Sequence, residues 1–172
     1  MKMKKEKKMI RFTMTAMFMA LTIALSSFGI PVPGGHLYLN DMVIVTGALL
    51  LNPIEAFLAG GLGAFLGDAI FYPAPMFVSL ATHGLQAYVI SKLAHNKDGS
   101  RKDFKHCLVA VLTGALIMVC GYTYGRAMIY ATKEAAMLKL PFQVLQAMFG
   151  VVVSLIIVFK TRIPNVFDSK VK

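Results

Sequence analysis

Apolar residues in this chain come in long blocks instead of alternating or single-faced stripes. One block runs from about Ile10 to Ile30, and two more run from about Cys107 to Tyr130 and from Leu140 to Phe159. A run of ~20 apolar residues is the length of helix that crosses the ~30 Å hydrocarbon core of a bilayer. The pattern therefore predicts membrane-spanning helices, the last two joined by "ATKEAAMLKLP". A basic start followed by an apolar run also fits a secretory signal peptide. No small-x-small cleavage pattern follows, so the first block is read as a span.

The middle of the chain, Leu37 to Leu93, is punctuated. Asn52-Pro53, Pro73 and Pro75 each end a helix, because proline lacks an N–H and restricts the residue before it. This predicts helices over roughly 38–51, 54–72 and 76–93, short for a bilayer and so tilted or partly re-entrant.

Charge decides how many times the chain crosses. Of eighteen Lys and Arg, six fall in residues 1–11, five in 91–106 and four in 160–172, leaving Arg126, Lys133 and Lys139. Basic clusters that bracket apolar blocks mark the cytoplasmic side of a membrane protein. With the first two clusters on one side, an even number of crossings separates them. The middle then holds three helices, not the two that hydropathy alone suggests. The expected fold is all-α: residues 1–172 form one membrane domain of six transmembrane helices. Both termini are cytoplasmic, and a basic segment, 1–9, precedes the first helix. Gly29–Asp41, Phe71–Pro75 and Ala131–Lys139 then lie outside.

Composition agrees. Hydrophobic residues make up 57% and charged residues 15%, against ~45–50% and ~25% in soluble domains. The net charge of +10 would point to nucleic acid in a soluble protein, but its clustering orients a membrane protein instead. Cys107 and Cys120 have no CxxC or Cys/His ligand spacing and read as buried thiols.

Small residues form two helical stripes. Ala16, Ala20 and Ala24 share one face of the first helix, and Ala59, Gly63 and Gly67 one face of the third, with Gly60 and Ala64 beside them. Such faces let helix backbones come close in lipid. The third helix is expected to use its stripe inside the bundle; the alanine face fits either the bundle or a partner protein.

Polar residues favour the outer half. Asp68 ends the glycine-rich helix, and His83 and Gln86 lie three apart on the fourth. Tyr122, Tyr124, Arg126 and Tyr130 follow on the fifth, and Gln143 and Gln146 begin the sixth. Any one of them is explained by a bond to a neighbouring helix. Together they are the lining of a pocket for a small, polar, planar solute. Asp41 fits an N-cap or interfacial acid equally well. Arg126 and Lys133 suit a carboxylate, as in pantothenate, or cations reaching out to the interface.

HExxH, GxSxG, paired acids at metal-ligand spacing and the P-loop GxxxxGK[ST] are all absent, and so are internal repeats. No enzyme, metal or cofactor is expected in this chain. An intramembrane hydrolase built on His83 and Asp68 has nothing positive to support it.

The stretch "GHLYLNDMVIVTGALLLNPIEAFLAGGLGAFLGD" resembles the signature region of substrate-binding S components of energy-coupling factor (ECF) vitamin transporters. An outer-loop G-x-x-x-L-x-D precedes a short helix, followed by a proline-initiated helix carrying AGGLG…LGD. Ala16, Ala20 and Ala24 resemble the AxxxA motif on that family's first helix. The match is most specific from Gly35 to Asp68, and the last two helices cannot be matched residue by residue.

The resemblance implies a vitamin binder in the cytoplasmic membrane that docks through its alanine face onto a transmembrane coupling subunit. Two ATPases drive that subunit, so ATP and Mg belong to partners, and the S component topples in the bilayer to carry the vitamin inward. "GGHLYLND" then becomes lid and wall of the pocket. The expected substrate-binding residues are His36, Tyr38, Asn40, Asp41, Asp68, Tyr72, His83, Gln86, Tyr122 and Arg126. The motif resembles the hydroxymethylpyrimidine and pyridoxine subgroup, and the absence of tryptophan suits a single ring better than folate or cobalamin. Pantothenate, riboflavin and other B vitamins are the alternatives, as is a structural membrane subunit without a ligand.

Overall fold

The computed structural model describes residues 2–171. Counting the π turns as parts of the helices that contain them, the described residues form seven helices and one hairpin. They are α1 (Lys2–Ser26), β1 (Gly29–Val32), β2 (Gly35–Tyr38), α2 (Asn40–Leu50), α3 (Pro53–Phe71), α4 (Met76–Ala94), α5 (Phe104–Tyr130), α6 (Lys133–Lys160) and α7 (Ile163–Val171).

Helices α1, α3, α5 and α6 are long and apolar enough to span a membrane. Helix α4 has the length but carries Ser79, Thr82, His83, Gln86 and Ser91 on its buried face. Helix α2, at eleven residues, rises only ~16 Å, about half the hydrocarbon core. It sits in the middle of the bundle, buried on nearly all sides, with Ile44, Val45, Ala48 and Leu49 in the apolar core.

Local chemistry sets the helix starts. Asn52 caps α3 in a reciprocal capping box with Glu55, and Pro53 sits in the first turn where its missing N–H costs nothing. Thr132 caps α6 by accepting from the Ala135 N–H. The chain segment 133–139, expected as loop, is thus the first two turns of α6, and the helix continues through Pro141.

Three further features differ from expectation. The outer loop 29–38 is an antiparallel hairpin, with Val32 opposite Gly35 and Gly29 opposite Tyr38. Its turn is Pro33-Gly34, proline fixing one φ while Gly34 takes +81°. A short helix, α7, follows α6 and buries Phe167 against the core. Cys107 is buried as expected, but Cys120 is exposed on α5.

Glycines set the helix spacing. A Cβ on Gly63 would meet Thr22 at 3.0 Å, and one on Gly61 would meet the Gly84 backbone at 2.7 Å. The α3 stripe therefore packs inside the bundle, against α1 and α4. On α1 the residues turned inward are Thr15, Phe18, Thr22 and Ser26, whereas Ala16, Ala20 and Ala24 are exposed. Among the described residues, none covers the alanine face.

Candidate functional site

Above α2, under the hairpin, lies a cavity of about 90 Å³. Its walls come from the hairpin, the start of α2, the end of α3, the start of α4, the end of α5 and the start of α6. These are the segments where the sequence concentrates its polar groups.

Eight of the ten expected residues line it: His36, Tyr38, Asn40, Asp68, Tyr72, His83, Tyr122 and Arg126. Asp41 and Gln86 stand behind the wall and hold it. The Asp41 carboxylate is buried and accepts from Gln146 Nε2 at 2.6 Å and from Gln86 Nε2 at 3.3 Å. It is neither an N-cap nor an interfacial acid. Gln86 Oε1 lies 2.7 Å from His83 Nδ1. Because the Gln86 amide donates to Asp41, its oxygen is the acceptor, so the proton sits on His83 Nδ1.

A second chain of bonds positions Asp68. Ser79 donates to the Asp68 carboxylate, and the Tyr122 hydroxyl donates to Ser79 Oγ. Tyr122 also meets the His83 ring edge-on, with centroids 5.1 Å apart. Each of these residues is held from behind by a neighbouring helix, which fixes the cavity wall before any solute arrives.

The hairpin roof is fastened at three points. Arg126 Nη1 donates to the Gly34 carbonyl at 2.8 Å, Lys139 Nζ donates to the His36 carbonyl, and the Tyr38 N–H donates to Gln146 Oε1 at 3.0 Å. A two-stranded hairpin is marginal by itself in water, so these bonds hold it in place. Burial, and then the Asp68 carboxylate, raises the Tyr38 phenol above its ordinary pKa, which keeps it a neutral donor.

Sequence reasoning missed Lys139; it counted Tyr130, Gln143 and Gln146 among the polar groups of a pocket but not among the substrate-binding residues, and all four line the cavity. A signal was present: Lys139, Gln143 and Gln146 are spaced i, i+4, i+7, one face of a helix, but the first was assigned to a loop. Arg126 and Tyr130 lie on a π turn, Arg126–Tyr130, at the end of α5, which no sequence pattern marks. Lys133 is exposed and off the cavity.

Three buried side-chain atoms among the described residues have no hydrogen-bond partner: Asn40 Oδ1, Arg126 Nε and Tyr130 Oη. All three belong to residues of this one cavity. Leaving such a group unpaired costs ~1–3 kcal/mol. No cluster of three or more His, Cys, Asp or Glu able to hold a metal occurs among the described residues.

Four long apolar helices, a buried short helix and a small polar cavity beneath a hairpin describe a multi-pass membrane protein built around a solute-sized chamber. The family model for the ECF-type riboflavin transporter S component matches residues 6–162, and the chain belongs to that family. It is a vitamin-binding transporter subunit, not an enzyme, and it works with an ECF module. A Pyrococcus woesei protein described as an "uncharacterized protein in gap 3' region" is 26% identical over 136 residues, 78% of this chain and 88% of that one.

Proposed function

We propose that this chain captures a small water-soluble vitamin or vitamin precursor in the cavity under the hairpin and delivers it across the cell membrane. The observation that carries this reading is that Asn40, Arg126 and Tyr130, each with an unpaired buried side-chain atom, all line one cavity. One acceptor and two donors, the buried side-chain atoms without a partner among the described residues, are what a planar ligand with hydrogen-bonding edges would complete.

The preferred substrate is a single heteroaromatic ring of the hydroxymethylpyrimidine or pyridoxine kind. A cavity of about 90 Å³ is well below the ~300–1,000 Å³ of pockets for larger ligands. The Asp68 carboxylate supplies an acceptor for ring donors, and His83, Tyr122 and Tyr38 supply aromatic walls. Riboflavin is the second reading, favoured by the description of the matched family. Its three-ring system requires the hairpin to lift and the cavity to enlarge.

Delivery follows from the exposed alanine face. Ala16, Ala20 and Ala24 form the docking surface for a transmembrane coupling subunit whose two ATPase partners hydrolyse ATP. The whole bundle topples on that subunit to carry the vitamin inward. The basic clusters at 1–11, 91–106 and 160–172 favour six crossings with both termini cytoplasmic, a topology in which the hairpin and cavity face outward.

The test is to purify the chain in mild detergent, denature it and identify released small molecules by mass spectrometry. A stoichiometric pyrimidine or pyridine supports the single-ring reading, and riboflavin supports the second. An empty preparation that also binds no B vitamin by calorimetry defeats both and leaves a structural subunit.

A further inference from the structure

The opposite end of the bundle carries a larger hollow that solute capture does not use. A cleft of about 1060 Å³ opens where the start of α1, the start of α3 and the α4–α5 connection meet. Five cations line it, Arg11, Lys92, Lys97, Arg101 and Lys102, against two carboxylates, Glu55 and Asp98. Glu55 is already committed to Arg11, whose guanidinium it grips with both oxygens at 2.9 and 3.0 Å.

An apolar groove lies close to the cleft. Ile54, Phe57, Leu85 and Tyr88 line a trough of about 390 Å³ between α3 and α4. Ile54 is 70% and Leu85 52% exposed. The two hollows lie near each other: Lys92 of the basin stands one turn beyond Tyr88 of the groove on α4, with its ammonium 5.8 Å from the ring centroid, and Ile54 of the groove is next to Pro53 and Glu55 of the basin in the first turn of α3. A cationic basin beside a lipid-facing apolar groove at a helix end matches one amphiphile in both halves.

We propose that this end of the bundle binds an anionic phospholipid, with its phosphate among Lys92, Lys97 and Arg101 and one acyl chain along Ile54, Phe57, Leu85 and Tyr88. Basic pockets between transmembrane helices are suited to anionic head groups, and a groove facing the bilayer fills with acyl chain. A soluble anion would use the basin but leave the groove without a role. The bound lipid bridges α3 to α4 at the end where the capping box starts α3, and so steadies the bundle far from the solute cavity.

The experiment uses the full chain in nanodiscs of phosphatidylcholine containing a minority of phosphatidylglycerol, released into a mass spectrometer with its lipids attached. Phosphatidylglycerol should be carried out several-fold above its share of the disc. Lys92→Gln with Lys97→Gln should lower that enrichment, on the order of fivefold per lysine. Ile54→Gln with Leu85→Gln should weaken retention of the lipid without altering the basin. All four residues lie away from the solute cavity, and unchanged thermal unfolding of each variant in detergent verifies that it folds. Enrichment that survives both pairs overturns the proposal. So does equal displacement by free glycerol phosphate, which would make the basin a site for soluble anions. Unchanged enrichment combined with lost assembly onto the coupling subunit also overturns it, making the cleft a protein-docking surface.

Discussion

Two kinds of buried polar residue occupy the hairpin end of the bundle, and substitution should separate them. Tyr130 Oη has no partner in the empty protein, so Tyr130→Phe removes a desolvated hydroxyl and breaks no bond. Thermal unfolding of the empty variant should occur at the same temperature or slightly higher. Its affinity for the vitamin should fall by about 1–2 kcal/mol if that hydroxyl bonds the ligand, as calorimetry would record. Asp41 behaves in the opposite way. Asp41→Ala strips the partner from both Gln146 and Gln86 and should cost roughly 3 kcal/mol or more of stability whether or not ligand is present. Equal loss of stability in the two variants would contradict the division between wall and support. Residue type and position on the outer side were enough to find most of the lining from sequence. They could not distinguish Asp41, which sits one residue after Asn40 on α2 but turns away from the cavity toward α4 and α6. That distinction depends on helix phase, and a helix start uncertain by one residue rotates the face by ~100°.

Helix packing here depends on small residues, and their two stripes serve different contacts. Gly61 abuts the Gly84 backbone, so Gly61→Leu has no space to occupy and should push α3 from α4. A loss of ~1–3 kcal/mol is expected for overpacking of this kind, read as a lower unfolding temperature in detergent. Ala20→Phe should do neither, because Ala20 faces outward. Its unfolding and its vitamin affinity should match the parent, while co-purification with the coupling subunit and ATPases drops. If Ala20→Phe assembled normally, the alanine face would not be the docking surface. At this scale the sequence was informative about helices and poor about their ends. The breaks at Asn52-Pro53 and Pro73–Pro75 were legible because proline leaves a covalent mark. The α6 start at Lys133 was obscured by Pro141, which reads as a helix start yet lies two turns inside. The hairpin was hidden because Pro31, Pro33, Gly34 and Gly35 signal a turn without stating that the flanking residues pair.

The hairpin roofs a small chamber, and a solute larger than that chamber enters only if the roof moves. The roof is tied to the bundle by Arg126 at Gly34, by Lys139 at His36 and by Gln146 at Tyr38, on two different helices. Solute entry and exit then share one barrier, the breaking of these bonds. Lys139→Met keeps much of the side-chain length and removes the donor. If Lys139 acts as a latch, the variant should open more often, and association and dissociation should both accelerate while affinity changes less than either rate. If Lys139 is instead a direct ligand contact, association should be unchanged and dissociation alone should speed up. Stopped-flow mixing with the vitamin identified from the purified chain distinguishes the two. The effect should be larger for riboflavin than for a single ring, since a cavity of about 90 Å³ must expand further for three rings. A riboflavin association rate that does not respond to Lys139→Met would mean that the hairpin is not the entrance, and that the solute passes between helices.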